Sequence, residues 1–198
     1  MNKAVFDEFF NKGLLDVRSE NYIWLPEMEF LSEESSQKRK GIWSEYLNID
    51  EYVPFAINGG GDFYAWKGDD TVVFVEHDSG NGRIYAGSFM DALFRHIIEI
   101  AAGMYVDICS DEDKASMDED DAEYYSSESE IIALIDKCEK CFGDRFNNEQ
   151  NQCLRDLRGR GFSEEGILID HDEISRIIDK SNAYSNETIR FLKESWKS

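Results

Sequence analysis

The residues with the clearest capacity for chemistry are Glu76-His77-Asp78. Alternate residues of a strand face the same side, so Glu76 and Asp78 would share a face with His77 between them. Two carboxylates and an imidazole are the materials of a metal site or of acid–base catalysis. No second histidine lies nearby in sequence, and no nucleophile with a base and an orienting group can be named. A polar cluster lining a loop is the simpler reading. A hydrolase built on these carboxylates and His77 stands as a third functional alternative.

Other groupings have plainer explanations. Cys138-Glu139-Lys140-Cys141 has zinc-like spacing, with Cys153 and His171 downstream. A structural zinc site usually brings two such pairs, and both cysteines here fall on an apolar helical stripe, so core packing is expected. Gly59-Gly60-Gly61 is not a G-x-G-x-x-G pattern and is followed by no phosphate-loop lysine. It reads as a turn. The acids at 111–113 and 118–121 lack the glycine and terminal glutamate of a calcium loop. Arg155, Arg158 and Arg160 are too few to make a nucleic-acid surface against the charge of the whole chain and read as a solvated helix end. No catalytic residue, metal or cofactor is therefore assigned.

That charge is large. Among 198 residues, 42 acidic and 21 basic side chains leave a net charge of -21. Between Glu51 and Asp136 there are 20 acids against 4 bases, whereas Lys137 to Ser198 is nearly balanced at 12 against 11. Such a field repels nucleic acid and anionic membranes and speeds encounter with basic partners. Solubility is the plain alternative role. No apolar run approaches the length of a membrane span, and the N-terminus does not resemble a secretory signal. The four cysteines do not suggest a disulfide framework. A cytoplasmic protein is expected.

The elements that would position these residues can be read in order. Asn2 to Lys12 places Val5, Phe6, Phe9 and Phe10 on one helical face ending at Gly13. Tyr22 to Leu25 reads as a short strand. Leu31 to Lys40 is polar loop or helix start. Ile42, Trp43, Tyr46 and Leu47 form a helical stripe. Strands are expected at Tyr52 to Ile57, Asp62 to Trp66, Thr71 to Glu76 and Arg83 to Ala86, joined by short turns into an antiparallel meander. Pro54 suits an edge or strand-start position. Ser88 caps a strongly apolar helix, with Asp91 near its positive end. Asp107 to Glu130, with 11 acids and one lysine, reads as a solvated loop or linker. Ile131, Leu134, Ile135, Cys138, Cys141 and Phe142 then mark an amphipathic helix. Asp170 and Glu173 have capping-box spacing. Ile189, Leu192 and Trp196 mark a final helix. The fold class is α+β, a central antiparallel sheet flanked by helices. Residues 1–106 form the main domain, 107–130 a linker, and 131–198 a helical extension packed on the same domain.

Pro54-Phe55-Ala56-Ile57, Gly60-Gly61-Asp62-Phe63-Tyr64, the run from Val72 to Asp78, and Ser88-Phe89 with Leu93 together resemble the SUKH superfamily. That group contains bacterial immunity proteins and fungal regulators of cell-wall synthesis. The resemblance spans Tyr52 to about Ile98. It implies an α+β domain and a binding protein without catalysis, which in bacteria neutralises a toxin domain, often a nuclease. Nucleases grip phosphates with basic surfaces, and an acidic protein can occupy such a surface. Asp62, Asp69, Asp70, Glu76 and Asp78 are expected to make that contact. The alternative function is a regulatory scaffold for a cellular protein, as in wall synthesis. A toxin gene next door would favour immunity; a growth-control locus would favour the scaffold.

Overall fold

The computed structural model describes residues 2–68, 70–163, 166–181 and 188–194. The chain is α+β and divides into two compact units, Met1–Ala92 with Asn182–Ser198, and Leu93–Ser181. The division falls between Ala92 and Leu93, within the apolar helix. Among the described residues, no helix is long and apolar enough to cross a membrane.

The first unit is built on a sheet of strands β1 (Glu29–Phe30), β2 (Tyr52–Ile57), β3 (Phe63–Lys67), β4 (Thr71–Glu76) and β5 (Asn81–Ala86). Every neighbouring pair is antiparallel, and β2 to β5 form the expected meander. Aromatic and β-branched residues dominate these strands because such side chains fit a pleated, buried surface. Phe63, Ala65, Val73 and Val75 face a core containing Trp43, Leu47 and Ile49, where Trp43 stacks on Phe63 with 4.0 Å between ring centroids. The opposite face carries Phe55, Tyr64 and Trp66.

A register shift between Pro54 and Ala56 reconciles the two faces of β2. Without it, Tyr52 and Ile57 would point to opposite sides. The extra residue changes the alternation, so both join the same core. Pro54 lies beyond the short ladder with β1, which reaches only Ala56 and Ile57, so its missing N–H breaks no pairing there. Its carbonyl accepts a hydrogen bond from Ser36 of α2 (Glu33–Trp43). On the other face, Phe6 and Phe9 of α1 (Asn2–Asn11) are buried. The Phe6 ring lies 5.1 Å from Trp66 and 5.5 Å from Phe89, the first residue of α3 (Phe89–Ala101). Ser88 caps α3 as expected, its Oγ accepting from the Asp91 N–H at 3.1 Å.

Three local expectations are corrected. Tyr22 to Leu25 is not a strand; the first strand is β1, a few residues on. The stripe at residues 42–47 is not one helix: α2 stops at Trp43 and a turn follows. The final helix is instead a strand, β8 (Ile189–Arg190), which pairs with β5 at the sheet edge. Leu192 bridges Leu47. Trp196 lies outside the described residues.

The β8 segment is fixed from both sides. The Phe191 N–H donates to Gly80 O at 2.7 Å, and its carbonyl accepts from the Asn48 N–H at 2.7 Å. The Phe191 side chain is 2% exposed and meets Tyr52 edge-on at 5.1 Å. Close approach demands glycine here. A Cβ on Gly80, whose φ is +63°, would lie 2.7 Å from Leu192 Cβ, and one on Gly82 would lie 2.6 Å from the Phe74 carbonyl oxygen.

The second unit gathers β6 (Asp107–Cys109), α4 (Asp111–Ser116), α5 (Glu119–Ala122), β7 (Tyr125–Ser127), α6 (Glu128–Phe142), α7 (Asn148–Arg158) and α8 (His171–Ser181). The acidic stretch expected as a loop is thus ordered into two short helices between paired parallel strands. The composition itself explains this. Ser110 and Asp118 cap α4 and α5, and the acids behind them occupy first turns, where the helix dipole favours negative charge. Ser127 and Glu130 form a capping box at the start of α6, whose stripe buries Ile131, Ile135, Cys138 and Phe142.

The arginines of α7 and beyond are engaged with carboxylates rather than merely solvated. Arg158 pairs with Asp136 and Glu139, and Arg160 holds both oxygens of Glu173 at 2.7 Å. Arg160 keeps the Glu173 carboxyl below its ordinary value of 4.5. A depressed folded value means the pair's stabilisation is whole above pH 4.5 and is lost as the pH falls from there through the lower folded value. The pair is partly exposed, so the effect is at most about 1 kcal/mol. Glu173→Gln should therefore be less stable than the parent in urea at pH 7, with the gap narrowing as the pH falls below 4.5.

Candidate partner-binding surface

Hairpin geometry sorts the candidate acids. The turns joining β2 to β3 and β4 to β5 lie at one end of the sheet, and the turn joining β3 to β4 lies at the other. Asp62, Glu76 and Asp78 therefore gather at the first end. Asp70 sits at the second, about 17 Å away by the rise of a five-residue strand. Asp69 lies outside the described residues. The five acids thus do not make one patch.

The first end is organised around His77. The β3–β4 register sets Phe63 opposite Val75, which brings Asp62 beside the residues following β4. Asp62 Oδ1 accepts the His77 backbone N–H at 3.0 Å and lies 3.0 Å from His77 Nδ1. Asp78 Oδ1 lies 2.9 Å from His77 Nε2. A neutral imidazole donates from one nitrogen only, so both contacts are hydrogen bonds only in the imidazolium form. Both ring nitrogens thus lie beside carboxylates, Asp62 on one side and Asp78 on the other.

The surrounding turns hold this arrangement. The glycine run closes as a turn: the Asn58 N–H donates to Asp62 O at 2.9 Å, and the Asp62 N–H donates to Asn58 Oδ1 at 2.8 Å. Gly61 has φ +91°, and a Cβ there would meet His77 Cε1 at 3.1 Å. The histidine ring thus lies directly over the glycine. Glu27, itself at φ 57°, accepts the Gly59 N–H at 3.0 Å. Ser79 Oγ donates to Glu76 at 2.8 Å.

Exposure separates the roles. The Asp78 side chain is 92% exposed and that of Asp62 25%. Asp62 positions the turn, and Asp78 presents charge to solvent. Burial pushes the neighbouring Tyr46 phenol up, and the Asp78 and Glu45 charges add to that shift.

The sulfur groups lie in the other unit. Cys138 is buried in α6, and burial pushes its thiol up; the same cause pushes Cys153 up to about 11. The His171 side chain is outside those described.

Two features escaped the sequence reading. The contact of Asp62 with His77 follows from strand register, which the meander implied. The buried pair Arg95 and Glu99, with the half-buried Tyr105, had a plainer signal: an arginine and a glutamate four residues apart on an apolar helix.

No family model, no curated protein and no solved structure matches this chain.

Proposed function

We propose that this chain is an immunity protein that binds and neutralises a cognate toxin domain through an acidic surface. The toxin is of a basic, nuclease-like type, and the complex forms in the cytoplasm. The observation that supports this reading best is the gathering of Asp62, Glu76 and Asp78 at one end of the sheet, in a chain of net charge -21. Asp78 and Glu76 are the contact residues, and Asp62 fixes His77 beneath them. Aligned carboxylates raise the rate of encounter with a basic surface, and that rate falls as salt screens the field.

A complex with the neighbouring-gene toxin domain, followed by stopped-flow fluorescence, should associate about tenfold more slowly as salt rises from about 50 mM to 500 mM. Asp78→Lys, at a side chain 92% exposed, should slow association several-fold more at low salt and change little at high salt. Association indifferent to salt would remove the electrostatic contact. A toxin that keeps its activity beside saturating protein would remove the immunity role.

A further inference from the structure

A groove opens on the first unit at the other end of β3 from His77. It has a volume of about 670 Å³. Its floor is apolar, formed by Phe6, Phe10, Val53, Phe55 and Trp66, and Val53 is 37% exposed. Its rim carries Asp7, Glu33, Glu51 and Asp70, with Lys3 the lining cation among the described residues. Lys3 is itself 3.1 Å from Asp7.

We propose that this groove captures a polypeptide segment in which an apolar side chain is flanked by lysine or arginine. The apolar side chain covers the aromatic floor. The flanking cations meet Glu33 and Glu51 on the rim. The volume suits two or three side chains, within the usual range of ligand sites. Charge decides among occupants. A second copy of this chain, nucleic acid and anionic lipid would each bring negative charge to an acidic rim, whereas a basic segment complements it. The inference goes beyond the toxin reading and does not depend on it, because the groove and the His77 cluster share no residue.

The test uses the whole protein. A random peptide library displayed on phage is panned on the parent chain and, in parallel, on Val53→Arg, which fills the groove from an exposed position. Peptides enriched on the parent alone should carry lysine or arginine beside an aromatic or aliphatic residue. Calorimetry with the most enriched peptide should show at least about tenfold weaker binding to Val53→Arg than to the parent. Glu33→Gln with Glu51→Gln should weaken binding and flatten its salt dependence, and this pair serves if Val53→Arg fails to fold. Equal enrichment on Val53→Arg, enrichment of peptides without basic residues, or unchanged affinity in the Glu33 and Glu51 double variant would each overturn the proposal. Self-association of the parent that Val53→Arg abolishes would overturn it in favour of a second copy.

Discussion

Phe191→Ala is expected to destabilise the sheet unit by about 3–5 kcal/mol, the range for emptying a large aromatic site in a packed core. Phe191 is 2% exposed and lies in one apolar cluster with Trp43, Leu47, Tyr52, Phe63 and Val75. Its ring also lies over Gly82, where a Cβ would come within 2.7 Å of its Cε2 atom. Surrounding atoms are held by the β5 ladder and can close little of the cavity. Val17→Ala, at a residue 58% exposed, is the control and should change stability by less than about 0.5 kcal/mol. Urea unfolding followed by tryptophan fluorescence gives both values. A loss under about 1 kcal/mol for Phe191→Ala would mean that β8 does not seal the sheet.

Arg95→Leu is expected to cost about 3–5 kcal/mol, for a different reason. The Arg95 and Glu99 side chains are 8% and 3% exposed, and Arg95 Nε donates to Glu99 Oε1 at 2.7 Å. The Tyr105 hydroxyl donates to the other oxygen at 2.7 Å, and its ring stacks on the buried His96 with centroids 4.5 Å apart. Removing the guanidinium leaves a buried carboxylate without its countercharge, which is far worse than never having had the pair. The double variant Arg95→Leu with Glu99→Leu should therefore recover most of the loss. A double-mutant cycle in urea measures the coupling. If the double variant were as unstable as Arg95→Leu alone, packing rather than charge would explain the cost.

Much of the fold was legible because some signals are local. Tyr52–Ile57 and Thr71–Glu76 were read to the residue: aromatic and β-branched runs end at turns that admit little else. The Ser88 cap and the stripe of α6 were equally local. The errors share a cause. Ile189 and Leu192 have helical spacing, yet Ile189 is in a strand and Leu192 bridges Leu47, because residues 81–82 and 47 offer them partners. Periodicity within a window carries no trace of such partners. The acidic stretch was misread because composition was weighed without position: acids behind a serine or aspartate cap build helix starts. For the candidate site, the contiguity of Glu76, His77 and Asp78 was visible. The separation of Asp70 from them was also within reach, since successive hairpin turns alternate between sheet ends. The aromatic groove was not, because its walls come from α1, α2, β2 and β3 and exist only after packing.

The edge pairing of β5 has a consequence for biosynthesis. Arg190 and its partner Asn81 are 109 positions apart. At about 5–20 residues per second, a ribosome that has finished β5 needs on the order of 5–20 seconds to deliver the strand that covers it. Throughout that interval the nascent sheet shows a bare flank of amide and carbonyl groups beside the vacant seat of Phe191, the kind of surface on which chains stick to one another. Yield in the cell should then follow translation speed and chaperone supply more closely than the strength of the finished fold.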